Sequence, residues 1–81
     1  MKIINYDGKK IKMPCEVVYD DCELVTEQNP YSGEECQLPS FARGVYYKIK
    51  NAEINEDFKT MRKCISWFQK HFTKQYFILL D

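Results

Sequence analysis

Three glycines, three prolines and a single histidine in 81 residues leave few means for several common chemistries. The glycines are scattered and form no phosphate-cradling loop, so mononucleotide and dinucleotide binding of the glycine-rich type have no support. With His71 alone, no second imidazole can act as a general base. No carboxylate pair sits at helical spacing on a face that could also form a cleft. The chain is therefore not expected to be an enzyme or to carry a cofactor. No run of 18 apolar residues is present to span a membrane, and Met1-Lys2-Ile3-Ile4-Asn5 turns polar before a signal-peptide core could form. A reducing cytoplasm is the expected location, and no membrane partner is expected. Nothing repeats and no stretch is of low complexity.

The four cysteines, at 15, 22, 36 and 64, lack the paired Cys-x2–4-Cys knuckle that holds zinc in a tight turn. No metal site is expected, although Cys15, Cys22, Cys36 and His71 could converge in space. Cytosolic thiols stay reduced, so disulfides are not expected either. Cys64 and His71 are seven residues apart, about 10 Å along a helix, well beyond the roughly 3 Å reach of a thiol–imidazole dyad.

Lysine and arginine together balance aspartate and glutamate, 12 against 12, but the charges are segregated. Residues 1–12 carry Lys2, Lys9, Lys10 and Lys12 against Asp7. Residues 13–40 carry Glu16, Asp20, Asp21, Glu23, Glu27, Glu34 and Glu35 and no basic residue. Residues 41–74 reverse the sign, with Arg43, Lys48, Lys50, Lys59, Arg62, Lys63, Lys70 and Lys74 against Glu53, Glu56 and Asp57. Either the acidic and basic segments neutralise one another in the fold, or the surface is polarised and steers a charged partner.

A chain this short folds as one domain, residues 1–81, and spends most of its apolar side chains on its own core. Lys2–Tyr6 and Lys9–Met13 flank Asp7-Gly8, a dipeptide suited to the type I′ turn of a hairpin, with Ile4 opposite Ile11. Glu16–Tyr19 and Cys22–Thr26 are β-branched-rich and read as a third and a fourth strand. Asn29-Pro30-Tyr31-Ser32-Gly33 concentrates turn formers and predicts a sharp exposed turn. Pro39-Ser40 opens a helix, with the Ser40 hydroxyl as its cap. Phe41, Ala42, Val45, Tyr46, Ile49 and Ala52 then share one face of about 140°. Asn55 is the expected N-cap of a second helix, in which Phe58, Met61, Cys64, Ile65, Phe68 and Phe72 fall within about 120°. Its short connection to the first helix makes the two antiparallel or steeply crossed. Tyr76–Leu80 reads as a short helix preceded by a capping Thr73, with a strand as the alternative. The fold class is thus α+β: an N-terminal antiparallel hairpin or meander, then two antiparallel helices and a short C-terminal helix.

Two aromatics lie off the helical core faces. Tyr47 stands between Arg43 and Lys50 on the polar side of the first helix. Trp67 is flanked by Lys63, Lys70 and His71 on the second. Trp67 could stack on a nucleic-acid base, anchor a protein interface, or lie folded under the C-terminal segment with its indole N–H satisfied.

Residues 29–81, about two thirds of the chain, resemble a small protein family of tailed-phage genomes. The resemblance rests on Asn29-Pro30-Tyr31-Ser32-Gly33, on Ala52-Glu53, on Met61 followed by Trp67-Phe68, and on Tyr76 followed by Leu79-Leu80-Asp81. Asn51 replaces the glycine of the family pattern, and residues 13–28 have no counterpart, so a function held there would be particular to this chain. The resemblance implies a phage or mobile-element context, with no activity attached. In that context the expected role is stoichiometric inhibition of a host protein, such as a nuclease or CRISPR effector complex, in the manner of anti-CRISPR proteins. The acidic residues Asp20, Asp21, Glu23, Glu34 and Glu35 would occupy a basic groove, with Tyr31 as anchor. The alternatives are nucleic-acid binding by a basic and aromatic surface, Arg43, Tyr47, Arg62, Lys63, Trp67, Lys70 and His71, or a structural role as a virion accessory. The expected state is a monomer, or a small homo-oligomer for the structural role.

Overall fold

The computed structural model describes residues 3–17 and 23–80. Four strands precede three helices: β1 (Ile3–Tyr6), β2 (Lys9–Lys12), β3 (Leu24–Gln28), β4 (Glu35–Pro39), α1 (Ser40–Ile54), α2 (Phe58–His71) and α3 (Thr73–Leu79). The α+β class is as expected. The strands form two separate antiparallel pairs, β1–β2 and β3–β4. Asp7 and Gly8 both take positive φ, at 52° and 75°, as a type I′ turn requires. They set the register that places Ile4 opposite Ile11.

The expected strand at Glu16–Tyr19 falls partly outside the described residues, and Glu16 and Val17 are not in a strand. The expected strand at Cys22–Thr26 is present from Leu24 onward as β3, and the fourth strand is a correction. It runs over Glu35–Pro39, through a segment whose acidic start and terminal proline gave no alternating signal, and it pairs with β3 across the Asn29–Gly33 turn. Pro39 is tolerated there because β4 is an edge strand of a two-stranded sheet and Pro39 sits opposite Leu24 in a non-hydrogen-bonded pair, so no ladder donor is lost.

The α1 face is as the spacing predicts, with Phe41, Ala42, Val45, Tyr46, Ile49 and Ala52 all buried. The Ser40 hydroxyl does not cap the helix; Pro39 occupies the cap, and the Ser40 amide donates to the Glu23 carbonyl at 2.9 Å. Asn55 is likewise not the N-cap of α2. The Glu56 amide donates to Glu53 O and the Asp57 amide to Ala52 O, the paired bonds of a Schellman motif, so Asn55 is the C-cap of α1. Glu56 takes the left-handed position, φ 57°, that glycine usually fills. Asp57 then caps α2 by accepting from the Thr60 amide. Those bonds from Thr60 hold the Asp57 carboxyl below its ordinary value.

In α2 the buried positions are Cys64, Trp67 and Phe68; Phe58 at the first turn is exposed, and Met61 and Ile65 are half-buried. Phe72 breaks the helix from α3 with φ −135° and ψ 58°. α3 is a helix as expected, but Thr73 does not cap it; its hydroxyl donates back to the Gln69 carbonyl at 2.6 Å. The core is an aromatic cluster centred on Phe41, whose ring lies 5.5 Å from Tyr6, 5.9 Å from Phe72 and 6.3 Å from Trp67. These edge-on contacts join the first hairpin to α1, α2 and the break that follows α2. Among the described residues no helix is long and apolar enough to cross a membrane.

Candidate partner-binding face

Asn29 builds the exposed turn. Its side chain is buried, at 8% exposure, and its Oδ1 accepts from the Tyr31 amide at 2.8 Å and the Ser32 amide at 3.2 Å. On the other side, Nδ2 donates to the Ile78 carbonyl at 2.8 Å. That carbonyl is in the last turn of α3, where helix carbonyls draw partners from outside the helix, so Asn29 ties the turn to a helix end. Its backbone closes the loop through bonds with Glu34 and Gly33, and Gly33 provides the positive φ of 79°. Gln28 Nε2 donates to Gly33 O, and the Glu34 amide donates to Ser32 Oγ. The product is a rigid tip that presents Tyr31 at 92% exposure. Among the described residues none covers its ring.

Behind the tip, a groove of about 520 Å³ runs between the turn and α1, lined by Glu27, Pro30, Tyr31, Tyr47, Glu53 and Ile54 among others. Ile54 is 78% exposed. The Tyr47 hydroxyl donates to Glu27 Oε2 at 2.9 Å, and this bond, followed by partial burial, raises the Tyr47 phenol above its ordinary value. Burial first, and then the Glu27 charge, does the same for Tyr46. Arg43 lies over the Tyr47 ring at 5.8 Å, and Lys50 over the Tyr46 ring at 5.6 Å. Lys50 also forms an ion pair with Glu53 at 4.0 Å. The groove floor is therefore aromatic and its polar groups are already engaged with one another.

Glu27 pairs with Cys36 on the same half-buried side of the β3–β4 sheet as Val25 and Leu38, and turns toward α1. Glu35 alternates with half-buried Cys36 and buried Leu38, and so projects from the opposite side. Glu23, Glu34 and Glu35 are exposed; Asp20 and Asp21 lie outside the described residues. Glu27 and Glu53, which line the groove, were not singled out as site residues from sequence. The signal that could have found Glu27 is the pairing of β3 with β4, which was not legible.

On the opposite surface Trp67 is buried, at 7% exposure, and its Nε1 donates to the Lys12 carbonyl at 2.8 Å. The N–H is thus satisfied by the N-terminal hairpin while the ring packs on Phe41, Phe68 and Phe72, so it is not available to stack on a base. Tyr47 is half exposed, yet its hydroxyl and ring serve Glu27 and Arg43. Arg62, Lys63 and Lys70 are exposed, and Arg62 Nε donates back to the Phe58 carbonyl. His71 shares a small cavity of about 160 Å³ with Lys9 and Lys70, and burial followed by those two cations lowers its imidazole. Among the described residues no group of three or more histidine, cysteine or acidic side chains is placed to hold a metal ion. Cys22 lies outside them. Compared with protein-family models, with curated proteins and with solved structures, the chain matches none.

Proposed function

We propose that this protein acts by binding alone, as a phage or mobile-element inhibitor that docks on a basic surface of a host defence effector. The observation that carries this reading is Tyr31, 92% exposed on a turn fixed by the buried Asn29 side chain. Interface energy concentrates in a few aromatic anchors, and an anchor already held in place loses little entropy on binding. Beside it, Ile54 and the groove extend the apolar contact, while the exposed carboxylates of Glu34 and Glu35 supply negative charge next to the tip. Such charge acts mainly on association rate and orientation. The basic helical surface is the weaker reading, since the aromatic that would have carried it, Trp67, is spent on the core.

The test is expression of the protein in bacteria carrying defined nuclease-based defence systems, with phage plating efficiency as readout. Protection of the phage should be lost on Tyr31→Ala, which weakens binding by roughly tenfold or more. It should also be lost on joint reversal of Asp20, Asp21, Glu23, Glu34 and Glu35 to lysine. Protection that survives both changes, and disappears on reversal of Arg62, Lys63 and Lys70 to glutamate, would replace this reading with nucleic-acid binding.

A further inference from the structure

Cys15 Sγ and Cys64 Sγ lie 3.6 Å apart, in a thiol–thiol hydrogen bond between residues 49 positions apart in sequence. Cys15 follows β2 in an irregular stretch whose Met13 and Pro14 are buried, which fixes where the chain meets α2. Cys64 is fully buried on the core side of α2. The two thiols differ in exposure: Cys15 is half-buried, whereas Cys64 is fully buried. Burial and the hydrogen bond shared with Cys15 push the Cys64 thiol up to about 12, so it is a poor first target for an oxidant. The arrangement is that of a partly exposed thiol in contact with a fully buried one.

We infer that Cys15 and Cys64 form an oxidisable dithiol site whose substrate class is a peroxide, and that its product is a disulfide clamping the segment after β2 onto α2. In the first step the Cys15 thiolate attacks one peroxide oxygen. The S–O bond forms, the O–O bond breaks, and hydroxide leaves and takes up the proton that Cys15 released. In the second step Cys64 sulfur attacks the sulfenic sulfur of Cys15. The S–S bond forms, the S–O bond breaks, and the departing hydroxide takes the Cys64 proton. Two thiols and one hydrogen peroxide thus give one disulfide and two waters, the two sulfurs having lost the two electrons gained by the peroxide. Closing the gap requires the sulfurs to approach by roughly 1.5 Å, within reach of side-chain rotation. Because the bridge would close a long loop in the unfolded chain, the oxidised form is the more heat-resistant one.

The experiment treats the folded, reduced protein with hydrogen peroxide and follows intact mass, peptide map and thermal unfolding. The expected result is a mass loss of about 2 Da, a linked peptide pair containing Cys15 and Cys64, and a rise in Tm of roughly 10–20 °C that dithiothreitol reverses. The Cys22→Ser/Cys36→Ser double variant should behave the same way. Cys15→Ser, at a half-buried position, should keep the reduced protein's Tm and lose both the bridge and the rise. A bridge to any other cysteine would overturn the inference. So would a bridge that forms only in urea, or a gain of about 32 Da as sulfinic acid without a bridge.

Discussion

Replacing Asn29 with alanine tests whether the exposed tip is held as described. Three side-chain hydrogen bonds disappear: those accepted from the Tyr31 and Ser32 amides and the one donated to Ile78 O. A bond of this kind contributes a net 0.5–1.5 kcal/mol or so, which sets the loss at about 2–3 kcal/mol, because the two turn amides can find water while the Ile78 carbonyl is less accessible. Total stability for 81 residues is on the order of 4–12 kcal/mol, so the variant should remain folded but with a Tm roughly 8–24 °C lower. Urea unfolding followed by circular dichroism measures the difference directly. Asn29→Asp separates the two arms: it keeps the acceptor for the turn amides but sets a carboxylate oxygen against the Ile78 carbonyl, so it should be no more stable than the alanine variant. A loss below about 0.5 kcal/mol for Asn29→Ala would refute the argument that this side chain organises the turn. It would leave the rigidity of Tyr31 without a cause.

Three further outcomes follow from the same geometry. Trp67→Phe removes the bond to the Lys12 carbonyl and part of a buried ring, and should cost about 2–4 kcal/mol in urea unfolding. Glu56→Gly relieves the left-handed strain in the Schellman motif and should stabilise the protein by roughly 0.5–1 kcal/mol, the reverse of the usual effect of introducing glycine. Asp57 has a folded-state carboxyl below its ordinary value of 3.8, so its contribution is complete above that value and fades as pH falls through the lower folded one. Asp57→Ala should therefore lower Tm near neutral pH and converge with the wild type in strong acid, as a series of melts against pH would show.

The helical half was legible because periodicity and burial there are the same information. Every α1 residue assigned to the core from its spacing is buried. The errors sit at the ends, where side-chain caps compete with backbone geometry. Asn55 is a good N-cap by type, yet one more residue of chain lets Glu56 turn left-handed, and Asp57 then both closes α1 and opens α2. Trp67 was legible only in part: of the three readings its position off the apolar stripe allowed, burial with a satisfied indole N–H holds, but its hydrogen-bond partner is in the N-terminal hairpin, which meets α2 from another side. Single-helix periodicity contains no knowledge of that second neighbour.

The β3–β4 pairing was illegible because a two-stranded sheet takes its register from its turn and its cover rather than from its own residues. In β3–β4, the bonds from Asn29 to Glu34 and from Ser40 to Glu23 fix which pairs face inward, and by alternation the Gln37 carbonyl points away from β3. There Gln75 Nε2 of α3 donates to it at 3.0 Å. In β1–β2, the two-residue turn makes Tyr6 and Lys9 a bonded pair, which leaves the Lys12 carbonyl pointing outward, and Trp67 of α2 donates to it. Each hairpin thus has one outward edge carbonyl met by a side chain from a helix that follows it in sequence. The same logic explains the candidate site. Asn29 meets a helix-end carbonyl in α3, and a turn that by sequence alone could only be called sharp becomes a fixed platform for Tyr31. The exposed anchor is therefore a property of the tertiary contact with α3. Loosening the α3 end should mobilise Tyr31 even with every residue of the turn unchanged.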